Sequence, residues 1–454
     1  MEFEVNRVTH GPKHHLFGFH DLVQTNAKGD LALSLEMADI SHPPLPGETC
    51  GSGIVECGEF REIHRTRTWN YPQGARQQWI GDSDMFTCND RMDDGRLVAR
   101  VCDGRSAKVV ETLPFPIHCI AGDKAVFFDY DRVHAVGGYG YTPLSVAPPS
   151  RLEDWPADDG IWVGDIKSGK RELLVSIAEV AACGERHRVR SGYPHYVTHA
   201  MLNPSGTRLA FLHRYRVVDG GEPTRLMTVG LDGGGLRCLA KGFLSHFTWI
   251  GDDELFIWGE DQRALCAVRE SSYLRIPGVY WALLVAKRII RSLRARRQSP
   301  KAGGAPTQSR TFLIVRDCEN PTREKSGVGV LLQDGHPMAQ PGNLRHLICD
   351  TYWDQAGDRT LFFYDVDEQR RMVVGKYRMI FDRPDETRFD WRAAQAGIDS
   401  RILRKFDRGD YLFFRSGFHC DLHPRWSHDG MIGYFDSIHE GTRQIYSVKV
   451  RNED

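Results

Sequence analysis

A membrane-spanning segment is missing from this chain: the apolar stretch at residues 276–286 stops well short of the roughly 20 residues that a spanning helix needs. The opening residues, Met1 to Arg7, hold no apolar core of the kind that marks a secretory signal, so a cytoplasmic location is expected. Cys-x-x-Cys spacing is absent, and the 11 cysteines are odd in number and scattered. That excludes a disulfide framework or a zinc ribbon and reads as reduced thiols. Excess charge is absent too. A formal net charge of −1 excludes the global basic bias of a nucleic-acid binder. Neither a P-loop nor a Gly-x-Gly-x-x-Gly between strand and helix is present, so no nucleotide cofactor is implied.

What is present is turn chemistry. The chain has 45 glycines and is 10% aromatic, which suits many short strands joined by turns. Its clearest unit is the stretch 418–450. There His423-Pro-Arg-Trp-Ser is followed by an Asp429-Gly430 turn, an alternating run to Asp436, a Glu440-Gly441 turn and a last alternating run from Arg443 to Val450. Asp-Gly between apolar runs signals a hairpin, and a unit of this length is one blade of a β-propeller. Similar units recur at residues 199–212, 246–258 and 336–350. The spacing predicts an all-β fold, a seven-bladed β-propeller of four-stranded blades, over 1–454 as one domain. Residues 2–8 are expected to complete the last blade beside Arg443 to Val450 and so remove an open edge.

Two insertions interrupt the period. Residues 273–308 form a basic insertion, with Lys287, Arg288, Arg291, Arg294, Arg296 and Arg297 around Ile289, Ile290 and Leu293. Residues 276–297 read either as an amphipathic helix packed on the propeller or as one lying on anionic lipid, peripheral to the inner membrane. Residues 381–407 are charged and partly helical and carry no legible motif.

One register carries the chemistry. In four units a histidine opens the first strand, six or seven residues before the turn: His199, His246, His336 and His423. In the second unit Arg76 takes that place, beside Gln77 and Gln78. First strands line a propeller's channel, so these histidines are expected to converge at its mouth. His195 and His419 sit four residues earlier, and His213, Arg214, Asp350, Tyr352 and Asp436 end second strands at the same rim. Convergent imidazoles suit a first-row divalent metal, with Asp421 or Asp436 fixing their tautomers. The competing reading is a ring of histidines that only bonds neighbouring blades together. His118 and His134 lack the register and are read as structural, and His14 or His15 as packing where the termini meet.

With these residues in hand, the chain resembles the propeller of the Tol translocation protein and, more specifically, oligogalacturonate lyases. The latter are seven-bladed propellers that hold manganese through three His and one Gln. The likeness rests on His199, His246, His336 and the run His419-Cys-Asp-Leu-His423. The opening HHLFGFHD is similar to that of propellers encoded with bacterial polysaccharide assembly genes. The resemblance implies a divalent metal, manganese over zinc, held by His199, His246, His336, His419 and His423. Position 418 is Phe, which leaves Gln340 or Gln78 for the Gln ligand. It implies β-elimination on an acidic, uronate-containing oligosaccharide or polysaccharide, with His195 or His213 as base and Arg214 and Arg425 as carboxylate partners. Two other readings stay open: a non-enzymatic scaffold or glycan-binding module of polysaccharide assembly at the membrane, and a hydrolase using Asp350 and Asp436.

Overall fold

The computed structural model describes residues 2–145, 152–184, 193–217, 220–270, 310–403 and 407–451, with 276, 278, 279, 281, 282 and 285. Its strands are antiparallel and form seven four-stranded units among the described residues. Blades 1, 2 and 3 are built from His14–Leu16, Ala32–Met37, Cys50–Glu56 and Glu59–Thr66, then Gln78–Trp79 to Lys108–Leu113, then Cys119–Ala121 to Arg171–Ser176. Blades 4 and 5 share the long strand Arg237–Trp249. Its first half pairs with Thr224–Gly230 and its second half with Glu254–Asp261, so one seven-stranded sheet is two blades. Blade 6 runs from Met338–Gln340 to Arg370–Arg378.

Blade 7 is closed by the other end of the chain. Glu2–Arg7 pairs with the last strand in register from Glu2 opposite Arg451 to Arg7 opposite Tyr446. Phe3 lies 5.5 Å from Phe363 of blade 6, so the closing strand also packs. An open strand edge exposes unpaired amides and carbonyls. Deleting residues 2–7 is therefore expected to lower the thermal midpoint by more than Phe3→Ala does and to promote aggregation. An unchanged melting curve would show that closure adds no stability.

Neighbouring blades are stitched by a repeated tryptophan, three residues after Arg76, His246 and His423. The indole N–H of Trp79 donates to Gln24 O, that of Trp249 to Met201 O and that of Trp426 to Met338 O. Each acceptor belongs to an inner segment of the preceding blade. Buried indole donors need partners, and here the partner sets the spacing between blades.

The first strand of blade 1 departs from the pattern. It leaves the sheet after Leu16 and returns where Thr25 bridges to Ala32. The excursion 17–24 packs on the segment entering blade 2 through two glycines. A Cβ on Gly18 would stand 2.7 Å from Gln73 O, and one on Gly74 would stand 2.3 Å from Phe17 O. Only glycine allows backbones that close. This excursion positions Phe19 and His20.

The connections between second and third strands, and those entering each blade, lie on the channel-mouth face. Of the insertion 273–308 few residues are described, so the basic helix read over 276–297 lies mostly outside the described residues. Among the described residues no helix is long and apolar enough to cross a membrane. The helix Arg408–Arg415 follows directly on the second insertion, 381–407. Asp407 caps it by accepting from the Asp410 amide, Arg415 lies in its last turn, and it buries Tyr411 and Leu412. It lies over the channel mouth.

Candidate functional site

A shared local geometry places the ring. Arg76, His199, His246 and His423 each stand four residues before the residue whose amide closes the blade's first hairpin: Ile80, Asn203, Ile250 and Ser427. His336 stands four before Gln340, which pairs with Asn343 across its turn. The strand register slips at His199 and at His246. Arg76, His199 and His423 have left-handed backbones, with φ of 51°, 55° and 40°. Such a conformation costs a non-glycine residue roughly 1–3 kcal/mol and persists where the surroundings impose it. Here it turns the side chain out of the strand's alternation.

The imidazoles converge. Ring centroids are 4.2 Å apart for His246 and His336, 4.4 Å for His336 and His423, and 6.0 Å for His199 and His246. His20 joins them at 5.5 Å from His336 and 5.9 Å from His246. Phe19 lies among them, 4.9 Å from His199 and 5.1 Å from His423.

Each ring is oriented through Nδ1. His20 Nδ1 donates to Pro337 O at 2.8 Å, His423 Nδ1 to Gly18 O at 2.9 Å, and His336 Nδ1 to Asp350 Oδ1 at 2.8 Å. His246 Nδ1 is 3.0 Å from Ser245 Oγ and 3.3 Å from Asp334 Oδ1. Carbonyl and carboxylate oxygens only accept, so the hydrogen sits on Nδ1 and the lone pair on Nε2 is left for the channel. The Nε2 of His20 is buried without a hydrogen-bond partner.

Donor atoms of His336, Asp421 and His423, all buried, lie within 4.8 Å of one another. Burial and neighbouring imidazoles hold His20 and His423 well below the usual histidine value, so both stay neutral. Burial also lowers His336, but the Asp350 and Asp421 carboxylates together offset it and the net shift is upward. Burial raises Asp421, yet Arg359 together with the neighbouring His419, His336 and His423 outweighs it and holds the carboxyl well below its ordinary value. Arg359 is fully buried, 2.6 Å from Asp421 Oδ1 and stacked over Tyr352 and Trp353. These residues form a His/Asp group able to hold a divalent metal.

Above this group opens a cavity of about 510 Å³. Its walls include Gln73, Tyr139, His199, Arg214 and, from the overlying helix, Asp407, Asp410, Tyr411, Phe414 and Arg415. Arg214 and Arg415 flank the Tyr139 ring at 5.9 and 5.7 Å. Two cations beside an aromatic suit a carboxylated ligand.

The residues read from the sequence are distributed as follows. His199, His246, His336, His419, His423 and Arg214 line the cavity. His419 stands outside the close group: its Nδ1 is 3.7 Å from Asp421 Oδ2 and its ring packs on Trp353, Phe413 and Phe414. His195 and His213, the expected bases, bond to each other at 3.0 Å beside Tyr215 and Arg225 and do not line the cavity. Arg425 is also away from it, buried against Asp436 at 2.7 Å and Gln24. Asp436 is held by Arg425 and Arg443, and Asp350 by His336, so the two carboxylates are already engaged in separate pairs. Gln340 bonds Gly430 O and His346, and Gln78 bonds backbone carbonyls. Gln73 lines the cavity instead, its Oε1 buried without a hydrogen-bond partner. His118 contacts Tyr130 and Phe128, and its proximity helps depress His199.

Sequence reasoning passed over His20, Phe19, Arg359 and the helix Arg408–Arg415, whereas the stretch Gln73 to Gln78 reads as rim hydrogen-bonders or ligands and Gln73 does line the cavity. His20 had a signal, the HHLFGFHD run, but it stands six residues before the hairpin-closing Asn26 where the others stand four before theirs.

No family model matches the chain, and no curated protein matches it in sequence. Among solved structures it is similar to oligogalacturonate lyase from Vibrio parahaemolyticus, with 12% identity over 99% of this chain and 97% of that one and a TM-score of 0.54. An oligogalacturonate lyase in complex with manganese matches at 10% identity over 99% and 93% with a TM-score of 0.39. TolB from Acinetobacter baumannii matches at 10% over 77% and 64% with a TM-score of 0.34. The chain shares its fold with the Vibrio protein.

Proposed function

We propose that this propeller is a metal-dependent lyase that cleaves uronate-containing oligosaccharides by β-elimination. The observation that carries the reading is the buried His336, Asp421 and His423 group, with Nδ1-anchored imidazoles, at the floor of a cavity walled by Arg214 and Arg415. His20 supplies a further free Nε2. A donor set of imidazoles and a carboxylate, with no thiolate, suits a first-row divalent ion such as manganese or zinc. Bound there, a divalent cation would neutralise the C6 carboxylate of a uronate and make the C5 hydrogen more acidic.

This chain's residues would do the rest. Arg214 and Arg415 orient the carboxylate. His199, held neutral by burial and by Arg214, lines the same cavity and is the base. It takes the C5 proton, the C–H electron pair becomes the C4–C5 double bond, and the C4–O bond breaks. The departing oxygen takes up a proton to leave as a hydroxyl. The overlying helix limits access of water.

Oligogalacturonate incubated with the manganese-loaded protein should yield an unsaturated product that absorbs in the ultraviolet. Arg214→Ala is expected to raise KM and lower kcat/KM by roughly a hundredfold, since a charged partner of a buried carboxylate is lost. Metal bound without product from any uronate would discard the lyase and favour a glycan-binding propeller.

A further inference from the structure

An aromatic shelf continues the cavity outward along one side. Phe414 lines the cavity and is 45% exposed, and Phe381 is 47% exposed. Trp353 stacks near-parallel on Phe414, with centroids 6.1 Å apart and planes at 27°, and lies 5.8 Å from Phe381. Phe381 is in turn near-parallel to Phe413, at 6.2 Å and 19°. Three separate segments supply these rings: the loop after the second strand of blade 6, the loop after its last strand, and the helix Arg408–Arg415. Aromatic faces left in water beside a polar cavity are costly unless something covers them.

We infer that this shelf is a binding subsite for the apolar face of a sugar ring, taking the units of the glycan that lie beyond the cavity. The inference rests on the glycan reading of the cavity itself. Continuity decides for a sugar, because Phe414 belongs to both the cavity and the shelf. Charge decides against a lipid surface, because Asp410 and Arg383 border the shelf, and anionic lipid selects uniformly basic flanks. A pyranose presents C–H groups on one face and hydroxyls at its edge, which matches rings bordered by charged groups.

The test is calorimetric titration of the full-length protein, with metal chelated to prevent turnover, using di-, tri-, tetra- and pentagalacturonate. Affinity should rise with length beyond two units. Phe381→Ala should erase that gain, about tenfold, while leaving digalacturonate binding unchanged, since Phe381 does not line the cavity. Phe381 is half exposed, so the variant should fold, and Phe381→Trp should retain the gain. Affinity independent of length, a gain that survives Phe381→Ala, or no binding of any oligomer would each overturn the shelf. Length-dependent binding without elimination in the metal-loaded protein would keep the shelf and remove the lyase.

Discussion

Replacing His423 by alanine is expected to weaken manganese binding by at least about a hundredfold. Loss of a partner that merely orients a metal ligand typically costs 10–100-fold, and His423 offers the ligand atom itself. Its Nδ1 is tied to Gly18 O, so its Nε2 is aimed by a backbone carbonyl of the blade 1 excursion. Asp350→Ala should cost 10–100-fold, because Asp350 holds the ring of His336 from behind at 2.8 Å. His419→Ala should cost less than about tenfold, since His419 lies outside the close group. Misfolding is separable from ligand loss. Position 423 has φ of 40°, which glycine adopts freely, so His423→Gly should fold and show the same deficit. Calorimetry on each variant, with circular dichroism to confirm folding, decides. Full stoichiometric binding by folded His423→Gly would remove His423 from the site.

The blade count was legible because a glycine-bearing turn punctuates each repeat, from Lys28-Gly29 through Ser205-Gly206 to Asp429-Gly430, and the ring register because the histidine's distance to the hairpin closure is constant. His20 was not legible by that rule, since the excursion after Leu16 lengthens the spacing by two residues. The expected bases failed on strand parity. Successive side chains on a strand point to opposite faces. Arg214 faces the cavity, so its neighbour His213 faces away, where it bonds His195. Arg425 follows His423 by two, but the left-handed backbone at His423 breaks the alternation and Arg425 turns to Asp436. The helix Arg408–Arg415 has ordinary capping signals that announce a helix without saying what it covers. Its place over the cavity comes from long-range packing of Tyr411 against Ala394 and of Phe414 against Trp353.

Acid should unfold this protein at a pH where most propellers without buried histidines stay intact. Three histidines away from the candidate metal group decide this. His134 is pushed down to about 4 by burial, despite its bond to Ala396 O and with Arg415 and Arg91 opposing Asp131. His195 is pushed down to about 3 by burial and by Arg225 and Arg132, and His213 lies well below the usual value through burial and its neighbours His195, Arg225 and Lys241. In the unfolded chain each titrates near the ordinary value of about 6.5. Above that pH both states are neutral and stability is flat. As pH falls below it, the unfolded chain takes up protons that the folded chain refuses, so stability is lost down towards the folded values. Each group contributes about 1.4 kcal/mol per pH unit, or about 4 kcal/mol per unit for the three together. Over the fall from pH 6.5 to 5 that is about 6 kcal/mol, a large part of a typical stability of about 5–15 kcal/mol, so unfolding is expected at or below pH 5. Urea unfolding at pH 7.5, 6.5 and 5.5 measures the slope. His134→Gln, which keeps a donor for Ala396 O, should reduce proton uptake on unfolding by about one. A stability that stays constant from pH 7.5 to 5 would mean that these imidazoles are protonated in the folded state.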